Sequence, residues 1–133
     1  MIAKPKKKAS SKYIIGVCDH LLYECLLNRD VICQRCGSSG KLVTSHCYGK
    51  GAWPSMRHVL LNTLLLCNDC HSWWHANSSE SWEWWMKEYQ ERYDYLVEIK
   101  NDYVKLNKRH YQDTAIELES ELKKFEVMTD VLT

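Results

Sequence analysis

With 133 residues, 45% of them hydrophobic, the chain has room and material for one compact domain, which excludes both two full cores and general disorder. A net charge of +1 excludes a global field for nucleic acid, so any DNA affinity has to come from local patches. No run approaches the roughly 20 apolar residues of a membrane span. The seven cysteines, odd in number and mostly in CxxC pairs, do not suit a disulfide framework.

In chain order, residues 1–12 read as a flexible basic arm, with Lys4, Lys6, Lys7, Lys8 and Lys12 interleaved with Pro5, Ser10 and Ser11. Such a run is a solvated tail or a phosphate-contacting one, and composition does not choose. The apolar stretch behind it, Ile14 to Cys18, is interrupted by Asp19, His20 and Glu24, which does not fit a signal peptide. A reducing, cytoplasmic setting is expected. From about Val17 to Asn28, Val17, Leu21, Leu22, Cys25 and Leu26 recur at helical spacing and predict a helix that buries Cys18 and Cys25 on one face. Leu42-Val43-Thr44 has β character and leads into Ser45-His46. Gly49 to Ser55, with two Gly and a Pro, reads as a loop, and Leu60 to Leu66 as a short apolar segment.

A helix is expected near Cys67–Cys70, carrying His71 and His75. Asn77 with Glu80 suggests the capped start of another. From there Trp82, Trp85, Tyr89, Leu96, Tyr103 and Leu106 predict one long amphipathic helix of about two dozen residues. A last helix is expected from about Thr114, with Glu117 completing a capping box and Ile116, Leu118, Leu122 and Phe125 apolar. The expected division is an arm over 1–12, a core over 13–79 and a helical extension over 80–133. The apolar stripe of that extension needs cover from the first helix, from the last helix, or from a second copy in a homodimer. Trp82 and Trp85 read as packing, whereas Trp74 or Trp84 could stack on exposed bases or enter a dimer interface.

Two constellations carry chemistry. Cys33-x2-Cys36 and Cys67-x2-Cys70 each aim two thiolates at one ion from a tight turn, and together they supply the four soft ligands of a closed, structural zinc site. Gly37 after the first pair suits such a knuckle. Because that site has no open position, His46, Asn62, His71 and His75 form a separate set. His71 and His75, at i and i+4 on a helix, can converge on a second ion that keeps open positions. Cys47 beside His46 reads as a buried thiol, since no acyl-transfer arrangement accompanies it.

With these residues the chain resembles the HNH endonucleases, and within them the zinc-stapled phage proteins of the NinG recombination type. The resemblance rests on Arg29-Asp30, Cys33-Gln34-Arg35-Cys36-Gly37, Ser45-His46, Arg57, Asn62, Leu66-Cys67, Cys70-His71, Trp73 and His75. It implies an α+β fold: a small zinc-stapled ββα-metal finger flanked by an N-terminal helix and long C-terminal helices. It further implies a metal-dependent DNA endonuclease of phage recombination, replication or packaging, acting on branched DNA by analogy alone. In that reading His46 is the general base, Asn62 braces the loop that orients it, His71 is a ligand of the catalytic metal, and His75 a second ligand or a phosphate contact. Arg57 or Lys50 supplies a cation for the phosphate, although a surface salt bridge serves equally for Arg57. The cofactors implied are a structural Zn²⁺ and one divalent catalytic metal, Mg²⁺ or Mn²⁺, with Zn²⁺ or Ni²⁺ as alternatives. One departure stands out, since Ser45 occupies the place where many HNH enzymes carry an acidic or histidine metal ligand. Two rival readings remain, a non-catalytic zinc module that binds DNA or protein, and a helical scaffold with a zinc cap.

Overall fold

The computed structural model describes residues 10–132, with side chains through Met128. Of the basic arm, Lys4, Lys6, Lys7 and Lys8 lie outside the described residues, while Lys12 belongs to the first helix. Five helices and a two-stranded antiparallel sheet make an α+β fold among these residues.

Helix α1 runs Ser11–Arg29, starting well before the expected Val17, because the Ser10 hydroxyl accepts the Tyr13 amide at 3.1 Å and caps it. Its end is fastened to the sheet by adjacent opposite charges. Arg29 donates to the carbonyls of Leu60 (2.8 Å) and Thr63 (2.6 Å), and Asp30 accepts both Arg29 and the Leu65 amide (3.0 Å). The Leu65 carbonyl accepts the Gln34 amide, so a middle residue of an edge strand has both backbone groups occupied.

Strand β1 (Leu42–His46) pairs with β2 (Thr63–Cys67) in the register Leu42↔Cys67 through His46↔Thr63. The unbroken run Leu64-Leu65-Leu66 is buried on both faces of the strand, as its composition requires. Leu64 and Leu66 enter one core with Tyr48, Met56, Trp74, Trp85 and Leu96. Leu65 enters the other, with Ile14, Cys18, Leu22, Leu26, Tyr111 and Leu118. β2 passes without a loop into α2 (Asn68–Ala76), whose first turn is capped by the Cys67 sulfur accepting the Cys70 amide at 3.4 Å.

The single long helix expected after residue 80 is instead two, α3 (Ser78–Glu88) and α4 (Gln90–Ile99). The break falls at Tyr89 (φ −130°, ψ 45°) with no Gly or Pro to cause it. Tertiary contacts hold Tyr89 there, its ring stacked on Trp85 at 4.9 Å and its hydroxyl donating to Gln34 Oε1 at 3.1 Å. α3 does begin after Asn77, but the expected capping bond is not made, because the Asn77 amide donates back to the Trp73 carbonyl. The last helix, α5 (Lys108–Leu132), starts before Thr114 because Asn107 Oδ1 accepts the His110 amide at 2.9 Å. Thr114 bonds back to the His110 carbonyl, a mid-helix habit of threonine rather than a cap.

α5 covers α1. The thiols of Cys18 and Cys25 reach the carbonyls of Tyr111 (3.2 Å) and Leu118 (3.5 Å), so equal steps along both helices in the same direction make them parallel. The stripe that called for cover is therefore shared out: Trp85 and Leu96 pack on the sheet side, Tyr111 and Leu118 on α1. Tyr103, 91% exposed, and Leu106 lie in the connection before α5 and pack into neither core. No helix among the described residues is long and apolar enough to cross a membrane.

Candidate metal centre and histidine cleft

Cys33 and Cys36 lie in the turn after α1, Cys67 ends β2, and Cys70 sits in the first turn of α2. The antiparallel register brings these turns together, and the four sulfurs lie within 4.8 Å of one another. A tetrahedron with metal–sulfur bonds of about 2.3 Å has edges of roughly 3.8 Å, and Cys36 Sγ and Cys67 Sγ are 3.7 Å apart. The cluster thus fits a four-thiolate metal site, consistent with zinc. Gly37 is required here, since its φ of 77° lets its amide return to the Cys33 carbonyl at 2.9 Å. Burial opposes ionisation of Cys33, but amide donors from Cys36, Cys67 and Arg35 outweigh it and bring its pKa to about 6. Burial and the adjoining thiols push Cys70 up to about 12. Arg35 offsets part of this, lying 3.6 Å from Cys70 Sγ while stacking over Trp73.

A second site opens on the other side of the α2 start. Strand alternation turns Thr44 and His46 to one face, where they line a cleft of about 470 Å³ with Asp19, Leu22, Gly49, Lys50, Gly51, His71 and His75. His71 and His75 meet edge to face with their Nε2 atoms 3.1 Å apart. Two imidazole nitrogens bound to one ion at about 2.1 Å stand roughly 3.0–3.4 Å apart, so the pair has the spacing of adjacent ligands. Burial and the neighbouring His75 both depress the His71 pKa, which favours the neutral ring that a metal needs.

His46 Nε2 lies 2.9 Å from the Arg57 carbonyl oxygen. That oxygen can only accept, so the proton sits on Nε2 and Nδ1 keeps its lone pair. Burial lowers the His46 pKa from 6.5, Lys50 and Arg57 add to this, and the carbonyl bond only partly opposes them. Asn62, fully buried, spans the β1–β2 connection: its Oδ1 accepts the Tyr48 amide, and its Nδ2 donates to the carbonyls of Tyr48 and Met56. It therefore holds both ends of the loop between His46 and Arg57.

Arg57 takes the salt-bridge alternative, its Nε and Nη2 meeting the Asp19 carboxylate at 2.9 and 2.7 Å. Two expectations change. Ser45 does not face the cleft; alternation sends it inward, where it is fully buried with no hydrogen-bond partner for Oγ among the described residues. Trp74 is 5% exposed and packed against Trp82 and Trp84, so it cannot stack on a base. Cys47 is buried as expected, and burial raises its pKa well above 9, leaving an inert thiol. Asp19 and His58 were missed. Their signal was faint: Asp19 interrupts the inward stripe Ile15, Leu22, Leu26 of α1, where a charge needs a partner.

No family profile, curated protein or solved structure matches the chain.

Proposed function

We propose that the chain is an HNH-type endonuclease that hydrolyses DNA phosphodiester bonds with one divalent metal, in phage recombination, replication or packaging inside a bacterial host cell. The observation that carries this reading is the convergence in one cleft of a tautomer-fixed histidine, a histidine pair at ligand spacing and a lysine. The order strand, braced loop, strand and helix supports this reading, since it is the order that the resemblance to ββα-metal proteins implies.

In this reading the cysteine cluster holds Zn²⁺ and secures the turns on both sides of the cleft. His71 and His75 hold Mg²⁺ or Mn²⁺, with Zn²⁺ or Ni²⁺ as alternatives, and Ser45 contributes nothing to that site. When bound, the ion supplies Lewis-acid stabilisation of charge on the phosphate and leaving oxygen. His46 Nδ1 takes a proton from the attacking water as its oxygen bonds to phosphorus, and Nε2 keeps its own proton, hydrogen-bonded to the Arg57 carbonyl. The bond from phosphorus to the leaving oxygen breaks, and that oxygen is protonated by solvent. Lys50, exposed at the cleft rim, attracts the phosphate. Asn62 keeps the loop from drifting and so acts through His46 rather than on substrate.

The test is incubation of zinc-loaded protein with linear, nicked, Y-form and four-way DNA in Mg²⁺, Mn²⁺ and EDTA. Cleavage that requires added metal supports the reading. Binding without cleavage in every metal would leave a non-catalytic zinc module instead.

A further inference from the structure

The carbonyl that fixes the His46 tautomer belongs to a residue with no sheet partner. Arg57 follows a short 3-10 turn (Pro54–Met56) in the long β1–β2 connection, and its own amide makes only a 3.3 Å bond to Pro54. On one side Asn62 holds the Met56 carbonyl at 3.0 Å. On the other, the side-chain hydrogen bonds lead to a different element, Asp19 at the middle of α1. Its carboxylate takes the Arg57 guanidinium through two bonds and the His58 Nε2 through a third of 2.7 Å, with His58 itself buried. Two consecutive residues are thus gripped by one carboxylate on a rigid helix, which α5 packs in place.

We infer that Asp19 is a positioning residue for His46: by clamping Arg57 and His58 to α1 it sets the Arg57 carbonyl that receives the His46 Nε2 proton. This rests on the reading of His46 as the base. Asp19 also lines the cleft, and both its oxygens bond Arg57 or His58, so its influence on His46 runs through the loop. Burial works to raise its pKa, yet the hydrogen bonds from Arg57 and then His58 outweigh this and keep it below the ordinary aspartate value, so the clamp is charged near neutrality. The same ion pair raises the Arg57 pKa. A loop carbonyl released from this grip loses the alignment on which the base depends, and displacements near 1 Å cost up to about 10²-fold in rate.

The experiment uses the full chain with Asp19→Asn and, separately, Arg57→Lys, which keeps the charge but removes the two-pronged fork. Nitrogen-15 NMR of the imidazoles, well above the ordinary histidine pKa of about 6.5, reports the His46 tautomer without any reference to activity. Both variants should lose the uniform Nε2–H form of His46, and kcat for DNA cleavage should fall about 10-fold with KM nearly unchanged. Asp19→Glu, which retains a carboxylate, should recover part of both. If His46 remains wholly Nε2–H in both variants, or kcat is unchanged where the tautomer has shifted, the positioning role is wrong. If the wild type cuts no DNA, the nuclease reading fails by itself, and the tautomer measurement still decides whether Asp19 governs His46.

Discussion

The cysteine cluster and the histidine cleft meet at consecutive residues, Cys70 and His71, yet they are built in opposite ways. The cluster draws its cysteines from two tight turns beside the sheet, with all four sulfurs within 4.8 Å of one another. The cleft draws Asp19 from α1, His46 from β1, Lys50 from a glycine-bordered loop and His71 and His75 from α2, and it stays open. A closed four-thiolate site can hold a fold together and offers no place for a substrate; an open one with a lone pair to spare can do chemistry but contributes little to stability. The register of a two-stranded sheet makes both at once, because β2 ends at Cys67 in the cluster and is paired through Thr63 with His46 in the cleft.

That contrast is broken most severely by Cys33→Ser or Cys70→Ser. Loss of one thiolate should remove bound zinc and unfold the chain, since structural zinc binding is worth roughly 10 kcal/mol of folding energy. Metal analysis with circular dichroism checks this, and full zinc content with an unaltered Tm in both variants would contradict it. His71→Ala should leave zinc content and Tm intact while raising the Mn²⁺ concentration for half-maximal cleavage about 10-fold or more. A parallel loss of zinc would mean that the two sites are one.

A smaller effect is expected from pH. In the proposed mechanism the base is neutral His46; its pKa is held below 6.5 chiefly by burial, so cleavage should be flat through neutrality and decline only as pH falls through that lowered value. A rate still climbing above about pH 7 would point to a different base. Smallest is Val31→Gly. Val31 stands at φ 69° between α1 and the first knuckle, a left-handed conformation that costs a β-branched residue about 1–2 kcal/mol, partly offset by the greater freedom of unfolded glycine. Tm should rise by about 3 °C with cleavage unchanged, separating the stability of the cluster side from the chemistry of the cleft.

Much of this contrast was legible in the sequence where the information is local. CxxC spacing, the i, i+4 histidines and a glycine after the first knuckle each state their geometry within a few residues. Leu60 to Leu66 reads only as a short apolar segment, because an unbroken apolar run does not separate a buried strand from a buried helix; the structure makes its second half β2. The division of the C-terminal helices was not legible, because Tyr89 breaks the helix through Trp85 and Gln34 rather than through its own propensity. The α5 start was misplaced for a simpler reason: Thr114 with Glu117 imitates a capping box, while the true cap, Asn107, follows an irregular stretch. The Asp19 clamp joins residues far apart in sequence, so one charged residue on an apolar stripe was its only trace.

The most direct test of the cleft is single-turnover nicking of plasmid DNA by zinc-loaded wild type and His46→Ala, each with Mn²⁺ and with EDTA. The account predicts metal-dependent nicking by the wild type and a loss of roughly 10²-fold or more in His46→Ala, with zinc content and Tm unchanged. Equal rates in the two proteins, or nicking that persists in EDTA, would contradict it.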